Sequence, residues 1–130
     1  MITAIVAVGS NIDPEENVER TIELMKKDFP FVYASDFILT EPDGFKEQPD
    51  FLNGAICLRT KLSREQLSVY LKNTEVKLGR VKGPIKSGPR TIDLDLVIWD
   101  GEVIHPDYHQ KDYTRIPVDQ LLRELNMQVQ

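Results

Sequence analysis

The stretch Ile92-Asp93-Leu94-Asp95-Leu96-Val97-Ile98-Trp99 constrains the fold of this chain more than any other. Successive side chains of a strand point to opposite faces. Ile92, Leu94, Leu96 and Ile98 are therefore expected on one side, and Asp93 and Asp95 together on the other. Two carboxylates sharing a face repel each other and lose solvation, which is costly without a compensating cation.

The segments around this strand alternate between strand and helix signals. Residues 3–8 are apolar at nearly every position and read as a buried strand. Asp13 is expected to cap a helix, with Pro14 at its first position and Glu16 as a capping-box acid. That helix should run to about Asp28, with Val18, Ile22, Leu24 and Met25 as its apolar face. Residues 31–39 are expected to form one strand, followed by turn residues at 40–44 and a loop to Pro49. Phe51–Thr60 is the next strand. Ser63 and Gln66 form a second capping box, opening a helix that Gly79 ends. Leu67, Tyr70, Leu71, Thr74 and Leu78 share one face of it.

A loop rich in Gly, Pro and basic residues covers 80–89 and leads into the strand at 91–99. Asp100-Gly101 is a hairpin signal, residues 102–105 a short return strand, and a final helix is expected from near Pro117, carrying Leu121, Leu122 and Leu125. The order β-α-β-β-α-β plus a C-terminal extension predicts an α+β, ferredoxin-like sandwich, an antiparallel sheet with both helices on one face. The 130 residues contain no dividing linker, so one domain over 1–130 is expected.

The net charge of −5 argues against a broad nucleic-acid surface, although it leaves room for a local basic pocket. The single cysteine, Cys57, lies in an apolar run and reads as a core residue in a reducing compartment. The apolar start of the chain is too short to span a membrane and lacks a signal-peptide pattern, so the cytoplasm is expected.

Hard oxygen ligands spaced like Asp93 and Asp95 suit Mg²⁺, which takes one or two carboxylates and completes its shell with water and phosphate. Taken alone, the pair reads equally well as two hydrated side chains on an open sheet face. Arg80, Lys82, Lys86 and Arg90 crowd the loop before this strand, in a chain that is acidic as a whole. A polyphosphate with its metal would fit between these groups. Ion pairing within the loop would account for one or two of the four cations. Asn53 can present a donor and an acceptor to a heterocycle edge, and Phe51, on the same strand face, can stack on a flat ring. Their alternatives are an open-face polar residue and a core residue.

Five motifs occur in order: Gly9-Ser10-Asn11; Thr40-Glu41-Pro42-x-Gly44; Gln48-Pro49-Asp50-Phe51-Leu52-Asn53; Glu75-x-x-x-Gly79-Arg80; and Gly88-Pro89-Arg90-Thr91-Ile92-Asp93-Leu94-Asp95. In this the chain resembles the 6-hydroxymethyl-7,8-dihydropterin pyrophosphokinase family along nearly its whole length. The resemblance implies transfer of pyrophosphate from ATP to the hydroxymethyl group of a reduced pterin, with release of AMP. It implies two Mg²⁺ ions on Asp93 and Asp95, and catalytic roles for these two with Arg80 and Arg90. Glu75, Arg80, Lys82, Arg90, His105 and Lys111 become ATP-side residues, and Thr40, Asp43, Phe51, Asn53 and Tyr113 pterin-side residues. ATP and the pterin are the expected partners, with no nucleic acid, membrane or obligate protein partner.

The chain departs from the family pattern in places. Phe51 stands where the family often has Tyr, and Ser87 where many members have Trp in the loop over the site; that loop, 80–89, is expected to act as a lid. A gapless alignment puts His105, Lys111 and Tyr113 at the family's His, Arg and aromatic positions, and also explains Pro117. A competing alignment uses His109 and Arg115 but needs a later gap. Lys in place of Arg loses bidentate phosphate recognition. On Ser87 and Lys111 rests a second reading, a relative that binds pterin or nucleotide without efficient transfer. A ferredoxin-like RNA-binding module is disfavoured, because Asp93 and Asp95 would repel RNA phosphates.

Overall fold

The computed structural model describes residues 1–80 and 88–130. In chain order its elements are β1 (Ile2–Ser10), α1 (Pro14–Asp28), β2 (Phe31–Ala34), β3 (Ile38–Thr40), β4 (Phe51–Thr60), α2 (Arg64–Lys77), β5 (Asp93–Trp99), β6 (Glu102–Val103), α3 (Asp107–Gln110) and α4 (Asp112–Glu124). The strands make one antiparallel sheet in the order β2-β4-β1-β5-β6, with β3 also paired to β4. Each helical crossover, α1 and α2, skips over one strand. This is the split-βαβ arrangement of a ferredoxin-like α+β fold.

Strand parity assigns the two faces. Ala4, Val6 and Val8 of β1, Ile56 and Leu58 of β4 and Leu94 of β5 pack against Val18 and Met25 of α1 and Leu67 and Leu71 of α2. On the other face, Ile5, Ala55, Cys57, Val97 and Ile98 are buried under Val118 and Leu121 of α4. The C-terminal extension is thus a second cover, and β1 is apolar nearly throughout because it is paired on both edges and covered on both sides. Among the described residues no helix is long and apolar enough to cross a membrane.

The second helix forms as its caps dictate. Ser63 Oγ accepts from Gln66 N–H at 3.1 Å, and Gln66 Oε1 accepts from Ser63 N–H at 2.9 Å. At its other end Gly79 takes a left-handed φ of 87°. There Gly79 N–H donates to the Val76 carbonyl and Arg80 N–H to that of Glu75, a Schellman closure that turns Arg80 back toward β5.

Several expectations need correction. Asp13 is itself left-handed (φ 43°) and its side chain makes no capping bond; Asn17 Nδ2 instead donates to the Ile12 carbonyl at 2.6 Å. Residues 31–39 form two short strands, whose register on β4 slips by one residue between Ala34 and Ile38. Ser35 absorbs the slip: its N–H donates to the Ala55 carbonyl and its Oγ accepts from Ala55 N–H. A similar slip beside Ile5 and Val6 carries Ile98 to the α4 face, away from Leu94 and Leu96. The return strand is only Glu102–Val103, and the last helix begins at Asp112, with Pro117 inside it. An interior proline forfeits one helical hydrogen bond and costs about 3 kcal/mol. Burial of Pro117, Val118 and Leu121 offsets that cost.

The ring of Phe37 lies across Gly54, where a Cβ would meet ring carbons at 2.6 Å. Gly54→Ala should therefore destabilise the protein by about 1–3 kcal/mol through overpacking. Urea unfolding checks this: the midpoint falls while the slope is unchanged. An unchanged midpoint would mean that Phe37 can leave the strand at no cost.

Candidate active site

Helix α4 covers only one end of its sheet face. Toward the other end, register places Ala7 opposite Asp95 and Gly9 between Asp93 and Asn53. With Phe51 these residues floor a cleft of about 340 Å³, walled by Thr40, Asp43, Lys111 and Tyr113. Gly9 is required here. A Cβ on it would stand 2.8 Å from Asn53 Oδ1, so any side chain would displace the amide and narrow the cleft.

On the β5 side the cleft is strongly charged. Asp93 meets Arg80 at 2.8 Å and Arg90 at 3.2 Å. Arg80 is also held by Glu75 at 2.9 Å. Glu75 is buried at 4% exposure, and its Oε2 accepts from Leu94 N–H at 2.8 Å. One carboxylate thus fastens α2 to β5 and aims the Arg80 guanidinium at Asp93. No ion pair to Asp95 is present among the described residues. Burial pushes its carboxyl up to about 6, and the charge of Asp93 adds to the shift; His105 and Lys72 pull weakly the other way.

On the β4 side, Asn53 Nδ2 donates to Thr40 Oγ1 at 2.6 Å. The Arg90 guanidinium carbon stands 5.9 Å from the centre of the Phe51 ring. Across the mouth Lys111 pairs with Asp43 at 2.6 Å, which lowers the Asp43 carboxyl below its ordinary value. A second hollow, of about 190 Å³, shares Asp95 with the cleft and is lined by Arg64, Leu71, Lys72, Leu96 and Ile104.

The structure therefore brings Thr40, Asp43, Phe51, Asn53, Arg90, Asp93, Asp95, Lys111 and Tyr113 together around one cleft, with Arg80 held at its acidic end. Glu75 stands behind Arg80. His105 Nδ1 accepts from Asp107 N–H at 3.1 Å, and the ring is near enough to Asp95 to oppose the rise of its carboxyl. His109 packs against the edge of Tyr108, and Arg115 pairs with Asp112 on the surface. Lys82, Lys86, Ser87 and most of the expected lid lie outside the described residues.

Sequence reasoning missed Glu41, Asp107 and Thr114, which also line the cleft. The signal for Asp107 was Pro106-Asp107 opening a helix turn, four residues before Lys111. It is invisible while that segment is read as a trailing extension.

Among the described residues no three His, Cys, Asp or Glu side chains converge as a metal cage. As a pair, Asp93 and Asp95 fit a hard cation that keeps water and phosphate in its shell, and the charge at Asp95, which has no ion pair among the described residues, is what such a cation would balance.

Fold and cleft together define a ferredoxin-like α+β protein that sets a ring-sized, amide-bearing hollow beside a cluster of paired acids and arginines. Comparison with known proteins gives the family. The profile of 7,8-dihydro-6-hydroxymethylpterin-pyrophosphokinase matches residues 5–123. The 2-amino-4-hydroxy-6-hydroxymethyldihydropteridine pyrophosphokinase of Haemophilus influenzae is 30% identical over 96% of this chain and 84% of its own. Its namesake in Bacillus subtilis is 31% identical over 98% and 80%, and that of Campylobacter jejuni 37% over 77% and 65%. The chain belongs to the 7,8-dihydro-6-hydroxymethylpterin-pyrophosphokinase family, a family of folate-synthesis enzymes.

The Asp95 shift has a consequence for stability. With a folded value of about 6 against an ordinary 3.8, the folded state holds the proton more tightly than the unfolded one. Stability is therefore lost as pH rises through this window, and the penalty is complete above it. In chelator, Asp95→Asn should be more stable than the wild type at pH 7.5, by about 1–3 kcal/mol. The difference should shrink toward zero by pH 4. Urea unfolding at both pH values measures it; a variant less stable at pH 7.5 would contradict the assignment.

Proposed function

We propose that this chain transfers the β,γ-pyrophosphate of ATP to the hydroxymethyl group of 6-hydroxymethyl-7,8-dihydropterin. The hydroxymethyl oxygen bonds to the β-phosphorus, the bond from that phosphorus to the α–β bridging oxygen breaks, AMP leaves with that oxygen, and the hydroxyl proton is lost. The observation that carries this reading is the position of Asp93 and Asp95. Both line the cleft that holds Phe51 and Asn53, Asp95 also borders the Arg64–Lys72 hollow, and Arg80 and Arg90 flank Asp93.

Phe51 would stack on the pterin, while Asn53, fixed by Thr40, reads its amide edge. Asp43 and Tyr113 close that side. The nucleoside would occupy the smaller hollow against Leu71, Leu96 and Ile104, so that the triphosphate crosses the two aspartates. Arg80, Arg90, Lys82, His105 and Lys111 would meet its oxygens, and Glu75 keeps Arg80 in place. Asp93 and Asp95 would hold Mg²⁺, two ions by the family resemblance, whose charge would offset that of the phosphates facing the incoming hydroxyl. Transfer then rests on positioning and charge, with no covalent protein intermediate. The lone buried Cys57 supports the reducing cytoplasm as its place of work.

One observation favours a slower or binding-only relative. Lys111, at the place of a family Arg, is paired with Asp43 and presents a point charge without the guanidinium fork.

The deciding assay is AMP release from ATP, with and without the reduced pterin. Release should need both substrates and Mg²⁺, stop in EDTA and return on adding Mg²⁺. Binding without turnover would leave the second reading. Asp95→Ala should abolish transfer. Arg90→Ala should slow it by roughly tens- to a thousand-fold, on the order of 2–4 kcal/mol of transition-state binding. Lys111→Arg should hold or raise the rate, whereas Arg115→Ala, which removes a surface pair, should leave it within about twofold.

A further inference from the structure

Asn11 is assigned no role by any of the chemistry above, yet its side chain is buried at 4% exposure and fully engaged. Its Oδ1 accepts from Arg90 N–H at 2.8 Å, while its own N–H donates to the Arg90 carbonyl at 3.1 Å. Its Nδ2 donates to Gln48 Oε1 at 2.8 Å and to the Pro49 carbonyl at 3.0 Å. The orientation of the amide is forced, because a backbone N–H can only donate and a proline carbonyl only accept. Next to it, Ser10 Oγ donates to the Thr91 carbonyl at 2.6 Å, which locks the same junction.

These contacts join the two halves of the cleft. Gln48 and Pro49 end the loop that carries Asp43 and leads directly into Phe51. Arg90 leads into Asp93, which its guanidinium meets at 3.2 Å. Gln48 is itself oriented, its Nε2 donating to the Phe45 carbonyl at 2.7 Å. We propose that Asn11 is a positioning residue that sets the spacing between the ring-binding wall and the phosphate-side arginine. The claim rests on the pyrophosphokinase reading of the cleft and adds to it. Transfer between two separately bound substrates is steeply sensitive to their separation, and a displacement of about 1 Å can cost roughly a hundredfold in rate.

Asn11 has separable halves, so the proposal can be tested by substitution. Asn11→Asp keeps an oxygen for Arg90 N–H but sets a carboxylate oxygen against the Pro49 carbonyl and Gln48 Oε1, so only the ring-side loop is released. Its pterin KM should rise about tenfold, with the ATP KM within about twofold. Asn11→Ala frees both sides, and its kcat should fall by about a hundredfold as well. Gln48→Ala, which removes one of the two acceptors of Asn11 Nδ2 together with the Gln48 bond to the Phe45 carbonyl, should raise pterin KM severalfold and keeps the test available if either Asn11 variant does not fold. A merely structural Asn11 would lower Tm and the active fraction but leave both KM values as they are, and that result overturns the proposal. So does a wild-type pterin KM in Gln48→Ala. A wild-type protein that releases no AMP overturns the pyrophosphokinase reading itself, and the two failures are thus distinct.

Discussion

A strand cannot bury one side chain without showing its neighbour to the opposite face, and everything in this structure depends on how β1, β4 and β5 meet that constraint. One face is apolar over most of its length and takes α1 and α2. The other is continuously apolar where α4 lies, around Ile5, Cys57 and Ile98. Beyond the reach of α4, the same alternation delivers Asp93, Asp95, Asn53 and Gly9 side by side, because register aligns them across three strands. Among the described residues, the cleft is the part of this sheet face that α4 leaves open.

Its charges are arranged by contacts from the covered side. Glu75 belongs to a helix of the apolar layer, yet it bonds the β5 backbone and Arg80 at once. Burying a carboxylate is costly unless it is paired and hydrogen-bonded, and here both conditions hold. The result is an asymmetric acid pair. Asp93 has two guanidinium partners, whereas Asp95, partly buried and without an ion pair among the described residues, keeps an unbalanced charge. A hard cation carrying phosphate in its shell would balance that charge, as proposed above.

Much of this was legible in the sequence. The period-two pattern at 92–96 placed both aspartates on one face, the Ser63–Gln66 box fixed the start of α2, and Gly79 marked its end. What escaped has a common cause: register and reach across the sheet are not local properties. Nothing in residues 31–40 announces that Ser35 will replace a ladder step. Nothing near Ile98 shows that a slip against Ile5 will turn it to the other face. Pro117 looked like a helix start because its cost inside a helix is local, while the burial that offsets it is tertiary. The contacts that tie Asn11 and Asp107 to the cleft likewise join segments far apart in the chain.

The central claim is that Asp93 and Asp95 seat the metal that accompanies ATP. Paramagnetic broadening of backbone amide signals by Mn²⁺, standing in for Mg²⁺ in the presence of ATP, tests it most directly. The account predicts broadening centred on Asp93 to Asp95 and on Gly9 across the sheet, at Mn²⁺ levels far below those of the protein. Broadening centred instead on Asp43 and Asp107 at the cleft mouth, with the amides of β5 sharp, would contradict it.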